Sequence, residues 1–439
     1  MLAGERDILS RFIRTVAERG IAGEERAVKL LYLQATSRLL PAPVSLILKG
    51  PSAAGKSYLA NRVLDFFPKS AYYALTAMSE RALAYSEEPL SHRLLVIYEA
   101  AGIHGDFATY IVRSLLSEGR VSYETVEKTP QGLRARRIER AGPTNLLVTT
   151  TAVALHPENE TRMLSVPITD TQDQTRRVLL AIAEGRQQPA DFSAWHALQE
   201  WLALSEHRVD IPYARDLASL ISPVATRLRR DFQTILSLIR AHAILHQENR
   251  ERSQDRAVVA TIEDYAAIHE LVADLVAEGV EATVSRTIRE TVGAVRALLQ
   301  DRPPRDEAAV SLTAVATRLE LDISSARRRV QIALRKDYLK NVEDRKYRPY
   351  RLQLGDPLPE DVPLLPSPDT LANRGGRVGL ESEGSSTPPP PSSLVLDALT
   401  AEQLGLGPAL DEQRRPLPTA PPRGPRPRQP PPVRESVWD

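Results

Sequence analysis

Val44-Ser45-Leu46-Ile47-Leu48-Lys49-Gly50-Pro51-Ser52-Ala53-Ala54-Gly55-Lys56-Ser57 is the stretch on which the fold turns. Val44 to Leu48 reads as a strand of the continuously apolar kind that is buried in parallel sheets. Gly50 to Ser57 then satisfies every fixed position of the phosphate-binding pattern G-x-x-x-x-G-K-S. A helix opens at Ser57 and carries Leu59, Val63 and Leu64 on one side. Chemistry requires this order. Glycines let backbone N–H groups turn toward an anion, and the start of a helix adds partial positive charge. Lys56 is expected at the β- and γ-phosphates of ATP, with the Ser57 hydroxyl on Mg²⁺.

Working outward, Leu94-Leu95-Val96-Ile97-Tyr98-Glu99 reads as a second buried strand, and Thr144 to Thr151 as a third. Between them, Val121 to Lys128 and Leu133 to Arg140 read as two strands joined by a turn at Thr129-Pro130-Gln131-Gly132. Lys128, Arg134, Arg136 and Arg137 bring four positive charges to the tip and returning strand, with no acidic residue from 128 to 137. Residues 41–170 therefore alternate strands and helices, an α/β pattern. Residues 1–40 read helical, 171–285 strongly helical, and 288–354 as a small mixed unit. From Asp356 to Asp439 lie 19 of the 34 prolines. Disorder is expected there because such a segment buries too little apolar surface to offset its ordering entropy. Leu394 to Leu406 is the one apolar stretch in it.

Composition narrows the function classes. There are no cysteines, which removes disulfides, Cys-based zinc sites and Cys nucleophiles, and points to a reducing, cytoplasmic setting. Glu5, Arg6 and Asp7 stand where a secretory leader would need its apolar run. No stretch approaches the roughly 18 apolar residues of a membrane span, so no membrane partner is expected. Net charge is +1, so any nucleic-acid footprint must be local.

On these motifs, residues from about 40 to 280 resemble the AAA+ ATPases of the pre-sensor-1 hairpin group, which includes minichromosome-maintenance-type helicases and primase-associated ATPases of phages and mobile elements. The resemblance implies that Glu99 ends the Walker B strand and orients the attacking water. Tyr98 departs from the pattern, standing where a metal-linked Asp is expected, so Ser57 and Glu99 are the metal candidates. It implies a sensor at Thr150 or a neighbouring threonine, and an arginine finger at Arg162 that acts on an adjacent subunit. A second sensor is implied at Arg230, with Arg229 and Arg227 as alternatives. The basic hairpin would grip DNA in the pore of a ring, a hexamer being one form it could take. His242 and His246 have the spacing of two zinc ligands. With no Glu after His242 and no evident third ligand, they read as a helix face.

Residues 288–354 resemble a winged helix, with helices over Arg289–Leu299, Leu312–Leu319 and Ser324–Lys336, then a β-rich end. From Ala308 to Gly355 there are 11 Lys/Arg against 5 Asp/Glu. Arg327, Arg328, Arg329 and Arg335 on the third helix, with Lys346 and Arg348 beyond it, are the DNA candidates. The expected fold class is thus α/β: an AAA+ P-loop core (41–170), a helical lid (171–285), a winged-helix domain (288–354) and a disordered tail (355–439). The expected function is an ATP-dependent DNA translocase, helicase-like, in replication of a mobile element or phage, with a primase or other replication protein as partner. The rivals are an ATP-gated DNA-binding regulator or loader and, more remotely, a small-molecule kinase.

Overall fold

The computed structural model describes residues 2–79, 81–99, 105–130, 132–151, 160–185, 191–281, 284–301, 309–343, 345, 348–359 and 363–378. Contacts divide the chain into two units, Met1–Ser382 and Glu383–Asp439, and every described residue belongs to the first. The fold is mixed α/β. Five strands form one parallel sheet in the order β2-β3-β6-β1-β7: β1 Leu46–Lys49, β2 Tyr72–Leu75, β3 Arg93–Ile97, β6 Thr144–Thr150 and β7 Leu164–Pro167. The strands are apolar without a break because both faces are covered. Successive side chains still divide between the faces. Leu46, Leu48, Leu94, Val96 and Leu147 enter one core cluster, whereas Ile47, Leu95, Ile97, Leu146 and Val148 enter the other.

The larger cluster unites residues from 1–40, 41–170 and 171–285. α1 (Ile8–Glu18), capped by Asp7 accepting from Ser10 N–H at 2.8 Å, places Phe12 against Tyr32, Phe66 and Trp195. α2 (Glu25–Ser37) is buried nearly all round, as a helix must be when it lies inside a core. The buried amide and hydroxyl donors of this region are correspondingly bonded. Gln34 donates to the Leu146 carbonyl at 2.9 Å, and Asn145 donates to the carbonyls of Gln34 and Val44. The helices Ser193–Leu204, Leu228–Leu245 and Ile262–Glu281 complete this face.

The other face holds α4 (Ala82–Tyr85) and α5 (Gly105–Glu118). After α5 the chain makes an antiparallel hairpin, β4 Val121–Thr129 and β5 Gly132–Arg140, before returning to β6. Val121 and Ile138 root the hairpin in the body, and beyond Tyr123 its side chains are half-buried or exposed. Residues 286–354 carry three helices, Arg286–Gln300, Leu312–Arg318 and Ile323–Arg335, and a two-stranded ribbon pairing Leu339–Asn341 with Leu352–Leu354. They have their own apolar core.

The expectation of disorder from residue 355 needs correction. Leu358 is buried in the C-terminal core, while Leu364, Leu365 and Leu371 join the main one. Tyr265 donates to the Pro366 carbonyl at 2.6 Å, and a helix follows over Pro368–Val378. Averaging composition over the whole proline-rich segment hides these leucines, whose burial outweighs local ordering entropy. Residues 379–439, including the stretch from 394 to 406, lie outside the described residues. Among the described residues no helix is long and apolar enough to cross a membrane.

One buried cluster ties the chain's start to the helical block. Asp264 accepts from His242 Nδ1 at 2.6 Å, from Arg250 at 2.6 and 3.0 Å, and from Thr261 N–H at 2.7 Å. His246 accepts from Ile8 N–H through Nε2 and donates from Nδ1 to the His242 carbonyl. Asp264 is the third carboxylate or imidazole that the sequence did not reveal, and the three groups lie within 4.8 Å of one another. Yet Arg250 takes both Asp264 oxygens, and His246 has no ring nitrogen left for a metal. The cluster is a polar clamp. Burial, and then the neighbouring His242, push His246 down from 6.5 to about 4. A depressed folded-state value means that the unfolded chain binds the proton first. Folding stability should therefore fall as pH drops from about 6.5 to about 4 and level off below, by on the order of 2–3 kcal/mol. Urea titrations across that window test this, and a His246→Gln variant should lose this component of the slope.

Candidate functional site

β1 is flanked in the sheet by β6 and β7, neither of them its neighbour in sequence. The Gly50–Ser57 loop leaves its carboxyl end at such a point, where ligands bind in parallel α/β sheets. Gly50 N–H donates to the Thr150 carbonyl at 3.3 Å, and Ile168 N–H to the Lys49 carbonyl at 2.8 Å, so the base of the loop is fixed from both sides. A Cβ on Gly50 would lie 3.4 Å from Ile168 Cβ, a tight approach. Ala53 (φ +67°) and Gly55 (φ +82°) both adopt left-handed backbone, which curls the chain into the kind of concavity that holds anions. α3 (Lys56–Leu64) starts at once, and its first N–H groups have no partner one turn back. The Lys56 ammonium is buried under the loop and donates to the carbonyls of Gly50 (2.9 Å) and Pro51 (2.7 Å). Ser57 is exposed beside it.

Glu99 stands beyond the end of β3, next to β6, with φ +71°. Left-handed backbone on a non-glycine residue costs about 1–3 kcal/mol, and such strain gathers at functional sites. Its N–H donates to Thr149 Oγ1 at 2.8 Å. The two threonines thus divide the work: the carbonyl of Thr150 anchors the loop, and the hydroxyl of Thr149 fixes the Glu99 backbone. Tyr98 turns the other way and bonds through its hydroxyl to Asn61 on α3. Burial, together with Tyr72 and Asp65, pushes it up to about 12. The position where a metal-linked Asp was expected is therefore committed to packing, which leaves Ser57 and Glu99 as the candidate donors.

Arg162 and Arg230 lie at the other end of the sheet. Arg162 Nε donates to Ser117 Oγ at 2.6 Å, and Arg230 to Thr161 Oγ1 at 3.0 Å. Both line a cavity of about 480 Å³ whose wall includes Val44, Ser45, Thr144 and Leu164, at the amino ends of β1, β6 and β7. A strand length of roughly 13 Å separates that end from the loop. A role for Arg230 at the loop of its own chain is not supported by this placement; the structure groups it with Arg162 instead. Of the alternatives, Arg227 is held by Asp231 at 3.2 Å, both nearly buried, while Arg229 is exposed.

The hairpin is less basic than its sequence run. Antiparallel register sets Glu127 opposite Arg134 and Glu124 opposite Arg137. Arg136 bonds to Glu127 and Arg137 to Glu139, each at 2.8 Å. Counting charge from 128 to 137 alone missed Glu139 just beyond the run and the Glu124 and Glu127 that pairing brings across. Lys128 faces Leu133, and with Val126 opposite Ala135 the exposed face near the tip is mostly apolar.

In the three-helix segment 286–354 the four arginines of Ile323–Arg335 have different surroundings. Arg329 bonds to Glu290 at 2.9 Å, Arg327 lies over the Tyr350 ring, Arg335 bonds within its own helix, and Arg328 is exposed with no partner among the described residues. The exposed face of this helix also includes Ile323, Ser324 and Gln331, which helical periodicity alone could have identified. Arg348 is exposed, and Lys346 lies outside the described residues.

Compared with known proteins, the chain matches no protein-family model and no curated protein.

Glu290 holds Arg286 as well as Arg329, and those hydrogen bonds keep its carboxyl below the usual range. Arg329→Ala should therefore lower the melting temperature slightly, whereas Arg328→Ala should leave it unchanged. Thermal denaturation of both variants checks this, and equal effects would mean that Glu290 does not brace the helix.

Proposed function

We propose that this chain is an AAA+ P-loop ATPase of the pre-sensor-1 hairpin group, a Mg²⁺- and ATP-dependent motor that translocates on or remodels DNA as a head-to-tail assembly. One observation carries the reading. The Gly50–Ser57 loop, Glu99 and the Thr149–Thr150 end of β6 converge at the carboxyl ends of three adjacent parallel strands. Lys56 would exchange its carbonyl partners for the β- and γ-phosphates. Ser57 and Glu99 would hold the metal, Glu99 would orient water, and Mg²⁺ when bound would neutralise charge developing on the phosphates. Arg162 and Arg230 are too far from their own loop to act on it. They support a role at the neighbouring subunit's phosphates, where an arginine finger is worth 10³–10⁵ in rate.

The three-helix unit with its ribbon would serve as a winged helix that captures DNA through Arg328, Arg327 and Arg348. A primase or another replication protein would be the partner in a phage or mobile element. A second reading has Tyr98 behind it. Without a carboxylate there, turnover would be slow, and the chain would be an ATP-gated DNA-binding regulator or loader.

Lys56→Ala should abolish ATP binding or turnover with the fold intact, measured by nucleotide titration and phosphate release. Glu99→Gln should keep ATP binding and lose turnover by about 10²-fold or more. Normal hydrolysis in Lys56→Ala would end the assignment.

The hairpin separates the two readings. Replacing Lys128, Arg134, Arg136 and Arg137 with Gln should leave basal ATPase near the parent's and remove its stimulation by DNA. Arg136 and Arg137 already have acidic partners, so the logarithmic salt slope of DNA binding should fall by about two units rather than four. A variant that DNA stimulates as it does the parent would favour the regulator.

A further inference from the structure

The helix Gln172–Ala183 follows β7, and so it starts at the same end of the sheet as the Gly50–Ser57 loop. Thr171 caps it and Gln174 bonds to the Ala22 carbonyl, which ties its first turn to the body. The rest carries its apolar side chains in solvent: Val178 is 39 % exposed, Leu179 61 %, Leu180 56 % and Ile182 71 %. Val178, Leu179 and Ile182 fall within one helical face at i, i+1 and i+4. Scattered exposed leucines are ordinary, but a contiguous group on one helix marks an interaction surface.

The cavity that holds Arg162 and Arg230 opens at the opposite end of the sheet, and much of its wall is apolar: Pro43, Val44, Leu115, Met163, Ile235 and Leu238. Its volume of about 480 Å³ leaves room for a few aliphatic side chains. No residue of the helix lines the cavity, so neither fills the other within one chain. Charges at the two places also match. Arg176 on the helix and Glu118 on the cavity wall are both exposed, and neither has an ion pair among the described residues.

We infer that the apolar face of the helix Gln172–Ala183 docks into the Arg162–Arg230 cavity of a second copy of this chain. The contact joins two different surfaces, so it repeats head to tail and builds a ring or a filament. This rests on the proposed assembly, since the same contact would carry Arg162 and Arg230 of one copy toward the loop of the next. Arg176 would meet Glu118 at the edge of the contact.

The absence of cysteine makes a direct test available. Leu179→Cys and Gln233→Cys chains are prepared separately, mixed with ATP, and treated with a short bis-maleimide; Gln233 is exposed on the cavity wall. A linked pair should form in the mixture and in neither variant alone. Self-linking of Leu179→Cys would reveal a two-fold helix contact and overturn the proposal. So would a Leu179→Arg/Ile182→Arg chain that sediments like the parent. The expected result for that chain is at least tenfold weaker association with the parent's ATP affinity. A parent that binds ATP but never assembles overturns the docking and leaves the nucleotide site standing. A parent that binds no ATP removes the proposed function, while linking of the mixed chains still upholds the contact.

Discussion

Everything at the loop end of the sheet depends on β1 being gripped along both edges. Its partners β6 and β7 arrive roughly a hundred residues later, so the sheet closes only through long-range pairing. Until β6 is in place, Gly50 N–H lacks the Thr150 carbonyl. Until β7 is in place, the Lys49 carbonyl lacks Ile168 N–H. Those two bonds set where the loop begins. With its base fixed, the left-handed turns at Ala53 and Gly55 bend the loop over Lys56 instead of letting it wander.

The same strand organises the core behind it. Asn145 on β6 reaches the carbonyls of Gln34 and Val44, and Gln34 returns a bond to the Leu146 carbonyl. A buried amide N–H left unbonded costs more than a bonded one contributes, so these donations favour one register for α2 against the sheet. The helices Ser193–Leu204, Leu228–Leu245 and Ile262–Glu281 pack on that same α2, and His246 reaches Ile8 at the chain's start. The helical block and the first forty residues consequently share one core with the sheet. Motion of that block as a separate body would have to break this packing.

Charge shows how far context divides residues of one type. Arg38 is buried with no carboxylate partner among the described residues, bonded to Gln199 and the Ala35 carbonyl over Phe67, and burial lowers it to about 10. Arg329 braces a helix, Arg327 stacks on a ring and Arg328 faces water within three consecutive positions. Arg329 is neutralised by its carboxylate, whereas Arg327 and Arg328 are exposed and keep their charge for a phosphate. On the hairpin, register decides the same question by supplying or withholding a glutamate.

The sequence by itself determined the loop, the strands that lead to Glu99 and Thr150, the hairpin and the order of the C-terminal helices. Each of these is written in local pattern: fixed glycine spacing, continuous apolar runs, a turn between alternating strands, helical period. Only the tertiary structure decided that Arg162 and Arg230 share the far end of the sheet, that Tyr98 packs on α3, that Asp264 completes the histidine cluster, and that leucines beyond residue 355 are buried. None of these is a property of a segment. Period tells which face of an element is apolar, but not which end of a parallel sheet a flanking residue meets or what another element sets opposite it. Those are fixed by which strands pair and which helices share a core, through contacts between residues distant in the chain.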